Sequence, residues 1–87
     1  MEKTIKIYYA LFMVNEGSQL LVWKSEKPAS GQNFWLGGSN ILPCIFETPQ
    51  AARAQLRKLK AECKNKNVSS IFRNAHFEVK KISFMGR

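Results

Sequence analysis

Aspartate is missing from this chain altogether, and six glutamates face fourteen lysines and arginines. There is no paired-carboxylate motif of the kind that divides acid and base roles between two side chains. Histidine occurs once, at His76, and cysteine twice, at Cys44 and Cys63, 19 positions apart with no C-x-x-C or C-x-x-H around them. One imidazole and two distant thiols do not assemble a structural zinc site within one chain, so neither metal nor cofactor is expected. Each cysteine sits in an apolar pattern and reads as a small buried hydrophobe, reduced rather than bridged. No Ser-His-acid or Cys-His spacing is present, which makes the chain a binding protein rather than an enzyme and leaves it no small-molecule substrate. Long hydrophobic runs are absent too. The longest, Ile7 to Val14, has eight residues, against the roughly 20 that a spanning helix needs. With no small-residue cleavage site either, the reading is a cytoplasmic protein with no membrane partner.

What is present is apolar enough to fold: 45% of the 87 residues are hydrophobic and 11% aromatic. That is one domain, residues 1–87, with a thin core, since a chain this short buries only about 60–65% of its unfolded surface. The net charge of +8 implies attraction to polyanions or to an acidic protein surface.

Thr4 to Val14 alternates as a long strand rich in β-branched and aromatic residues, apolar on both faces toward its end, which suggests cover on both sides there. Asn15-Glu16-Gly17-Ser18 is a turn, and Gln19 to Lys24 the returning strand. Ser25 to Gln32 reads as a loop. Asn33 to Leu36 and Pro43 to Phe46 are short extended pieces. Thr48-Pro49 opens a helix: threonine caps free N–H groups, and proline costs nothing at the first helical position. The helix is expected over Pro49 to Lys64, with Ala52, Leu56, Leu59 and Cys63 in one apolar stripe, and Asn65 to Asn67 end it. In the final strand, Ala75 to Phe84, the phase of Phe77 and Val79 opposes that of Ile82 and Phe84, and a bulge near Lys80-Lys81 would reconcile them. The fold class is therefore α+β: an antiparallel sheet of three to five strands with one helix packed across it, in the order β-β-(β-β)-α-β.

Three features are candidates for function. At about 100° per residue, Arg53, Arg57, Lys60 and Lys64 project within a narrow sector on one flank of the helix. With Lys58 they make five bases against one acid, Glu62. A merely solvated helix face would mix in more glutamates, although cations near a helix C-terminus are stabilising in themselves. The second feature is Phe34-Trp35 between loop glycines, where Trp35 is either an exposed anchor or the cover of a sheet edge. Gly37-Gly38 is no phosphate loop, because the P-loop Lys-Ser/Thr and the following helix are missing. Third, His76, Glu78 and Lys80 alternate on one strand face beside Arg73, as acid–base groups or as a solvent-facing row.

Phe46-Glu-Thr-Pro-Gln-Ala-Ala-Arg53, then Leu56, Leu59-Lys60 and Phe77-Glu-Val-Lys-Lys-Ile82, resembles small phage and prophage accessory proteins, among them anti-CRISPR proteins of this size. The resemblance covers residues 44–84. It implies a non-enzymatic inhibitor that docks on a bacterial nucleoprotein defence complex, and a chain this basic departs from the acidic DNA-mimicking type. On that reading the bases at 53, 57, 58, 60 and 64 meet an acidic surface of the complex and Trp35 supplies an anchor. The alternative is a sequence-tolerant nucleic-acid-binding domain using the same bases; a small basic ribonuclease comes third.

Overall fold

β-Branched and aromatic side chains build β1 (Ile5–Asn15), the strand on which the rest of the fold is assembled. The computed structural model describes residues 5–27, 32–65 and 68–85. Thr4, Pro28 to Gly31 of the expected loop, Lys66 and Asn67 after the helix, and the side chain of Phe84 lie outside the described residues. Asn15 pairs with Ser18 across the Glu16-Gly17 loop, and Gly17 holds φ at +75°, the left-handed region that glycine enters freely.

The returning strand is two pieces, β2 (Ser18–Leu21) and β3 (Trp23–Ser25). β4 (Phe34–Trp35) follows, then β5 (Ile41–Pro43) and β6 (Ile45–Phe46). The breaks at Val22 and Cys44 have one cause. Along one edge β1 pairs with β6 at Tyr9 and Ala10 and with β2 from Phe12 onward, so two strands share that edge and diverge at Leu11. Leu11 N–H donates to the Cys44 carbonyl (3.0 Å), Cys44 N–H to the Val22 carbonyl (3.0 Å), and Val22 N–H to the Leu11 carbonyl (2.9 Å). This triangle satisfies three N–H and three carbonyl groups in a fully buried place, where Leu11, Val22 and Cys44 are 0% exposed. Beyond the junction the departing strands pair with each other, giving a second sheet in the order β4-β3-β5.

α1 (Pro49–Glu62) is capped as expected: Thr48 Oγ1 accepts the Ala51 N–H at 3.1 Å with Pro49 at the start, and Cys63 is the C-terminal cap. Ala52 and Leu59 are buried, and Leu56 and Cys63 pack against the core from half-buried positions. A second short helix, α2 (Ser70–Arg73), was not expected; Ser69 caps it and Phe72 buries its one apolar ring. β7 (His76–Met85) then pairs with β1 from Ile5 to Val14.

Two expectations are corrected here. The β1–β7 register runs without interruption from Ile5↔Met85 to Val14↔His76, so there is no bulge near Lys80-Lys81. Phe77 and Val79 share the helix-covered face with Met13 and Leu11, whereas Ile82 lies on the reverse face with Tyr8. The phase of the apolar residues switches because helix cover ends: past Val79 the helix-side positions are Lys81 and Ser83, and Ile7, opposite Ser83, is 44% exposed. Nor, among the described residues, does a second layer cover the reverse face at the end of β1. Phe12 and Val14 are half-buried there, shielded by neighbours within the sheet such as Leu21 and Glu78. The architecture is a small α+β fold of antiparallel sheets and one main helix.

Candidate functional site

Arg53, Arg57, Lys58, Lys60 and Lys64 are all exposed. Among the described residues none of them makes an ion pair; the one ion pair is His76 Nε2 to Glu78 Oε2, at 3.2 Å. Burial of Ala52 and Leu59 turns the Arg53–Arg57–Lys60–Lys64 sector outward, as the periodicity requires.

Lys58 parts company with the other four. It lies on the opposite flank, in a cavity of about 350 Å³ lined also by Lys24, Asn33, Gln55 and Glu62. There Glu62 is committed to structure: its carboxylate accepts from Asn33 N–H (2.6 Å), Phe34 N–H (3.4 Å) and Asn33 Nδ2 (3.3 Å), joining α1 to the start of β4.

Trp35 sits on that side too. Its ring is half-buried and its Nε1 donates to Ser25 Oγ at 2.8 Å, beside an open trough formed with Glu26 and the Gly37–Ile41 turn. Ser25 and Glu26 line both this trough and the Lys58 cavity, so Trp35 neighbours Lys58 rather than the four-base flank. Phe34, next to it, is core.

The four-base flank instead runs into elements that the spacing along the chain did not connect. At its C-terminal end Lys60 and Lys64 border a shallow cleft of about 250 Å³ with Arg73 of α2 and Ala75-His76 at the start of β7. Cys63, Phe72 and Phe77 form its floor; the two rings are buried and stacked at 5.9 Å between centroids. Sequence reasoning missed this convergence because it depends on α2, whose only local signal is the Ser69-Ser70 cap.

Cys63 and His76 both border the cleft, but the thiol is not an activated nucleophile. Cys63 Sγ donates to the Phe72 carbonyl at 3.4 Å, and burial, with the Glu62 charge second, pushes its pKa up. Reactive thiols need the opposite shift. The His76 imidazole turns to Glu78, on the reverse face of the sheet.

No protein-family model, curated protein or solved structure matches the chain. Among the described residues no helix is long and apolar enough to cross a membrane.

Proposed function

We propose that this chain is a non-enzymatic binding domain that docks on a bacterial nucleoprotein complex through the Arg53–Arg57–Lys60–Lys64 flank of α1, acting as a small phage-type inhibitor or accessory protein. One observation carries the reading: four exposed bases share one helix flank, and none is paired with an acid among the described residues. Cations arranged so contribute little to stability, so their value lies in what they attract. The raised Cys63 thiol and the engagement of His76 by Glu78 speak against nucleophilic or acid–base chemistry at the cleft that the two residues border.

Direct, sequence-tolerant binding of nucleic acid is the second reading, and Arg73 favours it by extending the basic surface past the end of α1. Immobilised protein challenged with bacterial lysate, with and without nuclease treatment and over a salt series, separates the two. Docking on the protein part of a complex survives nuclease and declines gently with salt. Nucleic-acid binding vanishes with nuclease and follows a steep, linear log–log salt dependence. Retention that is indifferent to Arg53→Glu with Arg57→Glu overturns both. Activity on RNA that disappears in His76→Ala reopens the ribonuclease reading.

A further inference from the structure

We infer that the cleft between Lys60, Lys64 and Arg73 is a phosphate seat, which takes a backbone phosphate of a nucleic-acid strand and thereby identifies the nucleic-acid component of the complex as a direct ligand. This rests on the basic flank that both readings share and goes one step further, by assigning to one end of it the ligand chemistry of the second.

Three observations support the seat. The bases come from two elements separated in the chain, α1 and α2, and meet at one concavity. Cations at helix C-termini are stabilising in themselves, Lys60 on α1 and Arg73 on α2, but that preference does not require Lys60, Lys64 and Arg73 to share one concavity. Three like charges around one cleft repel each other, and an oxyanion between them converts that repulsion into attraction. Next, the floor is built and rigid: Phe72 and Phe77 are buried and stacked, and Cys63 is held by its bond to the Phe72 carbonyl. The buried rings offer no face on which a base can stack, so the cleft suits a phosphate rather than a nucleobase. Finally, the chemistry is complementary. A guanidinium presents a planar fork to phosphate oxygens and ammonium groups add point charges, and among the described residues no acid lines the cleft.

Such a seat carries no sequence preference, because phosphate contacts position a strand without reading it. It would fix the register of the strand against the flank, with Arg57 and Arg53 following the backbone away from the cleft.

The test is binding of a fluorescent oligothymidylate of about 12 nucleotides to the full chain over a salt series. Arg73→Ala and Lys64→Gln should each weaken binding about tenfold at low salt. Each should also lower the log–log salt slope by about 0.7, the share of one phosphate on a single strand. Circular dichroism and the thermal midpoint should stay at wild-type values, since both side chains are exposed; if Arg73→Ala disturbs α2, Lys64→Gln alone carries the result. If both variants bind like wild type while Arg53→Glu with Arg57→Glu abolishes binding, the seat is overturned and the flank reading survives. If the wild-type chain ignores the oligonucleotide yet still docks on the nucleoprotein complex, the phosphate assignment fails and the ligand is a protein surface. If the flank variant and the cleft variants all leave docking on the complex untouched, both readings fail together.

Discussion

The two flanks of α1 use charge in opposite ways. On one, Glu62 is spent inside the molecule, accepting three hydrogen bonds from Asn33 and Phe34 and holding β4 to the helix. On the other, Arg53, Arg57, Lys60 and Lys64 reach solvent with no acid beside them among the described residues. A carboxylate with several donors contributes to the fold; an exposed, unpaired base contributes next to nothing to it. Mutating the two flanks should therefore separate stability from binding.

The severest way to break the comparison is to remove the frame beneath both flanks. Leu59 is 1% exposed at the centre of the core, and Leu59→Ala should cost about 3–4 kcal/mol in urea unfolding, with both flanks lost together. Leu56, only half-buried, should cost about 2 kcal/mol; equal losses would contradict the burial gradient along the helix.

The strand junction should show the next largest effect, in alkali. Burial raises the Cys44 thiol from 9.0 to about 11, against a smaller lowering by Lys24. The folded state therefore resists ionisation that the unfolded chain accepts. Stability from this group is intact below pH 9, falls as pH rises from about 9 to 11, and the loss is about 2–3 kcal/mol once both states are ionised. Urea titrations of wild type and Cys44→Ala at stepped pH measure it: the variant starts less stable and lacks this decline. Thiol reagents should leave Cys44 unlabelled in the native protein.

On the structural flank, Glu62→Ala removes the carboxylate that accepts from Asn33 and Phe34 and should cost about 1–3 kcal/mol. Lys58→Ala, on the same side but bonded to nothing among the described residues, should change stability by no more than about 0.5 kcal/mol. Trp35→Ala should affect docking least of all, because the ring lies on the Lys58 side and its Nε1 is already bonded to Ser25; a complete loss of docking in this variant would move the interface to that side.

How much of this was legible beforehand differed from element to element. α1 announced itself through Thr48-Pro49 and its apolar stripe, because capping and 3.6-residue periodicity are local physics. The outward turn of the four bases followed from the same periodicity. The junction was not legible: the breaks at Val22 and Cys44 arise where two strands compete for one edge of β1, which no local pattern encodes. The bulge expected in β7 failed for a related reason. A change of phase along a strand signals either an extra residue or a change in which face is covered, and here cover by α1 stops while the register continues. The cleft was legible only in fragments, since Lys60-Lys64 and Arg73-His76 looked like separate features until α2 brought them together.

The central claim is that the four-base flank serves a partner and not the fold. Replacing Arg53, Arg57 and Lys60 together by glutamate, and reading urea unfolding and docking on the same sample, tests it most directly. The account predicts an unfolding free energy within about 1 kcal/mol of wild type, with docking on the nucleoprotein complex abolished. A variant that docks as wild type, or one that unfolds because those bases were holding α1 in place, contradicts it.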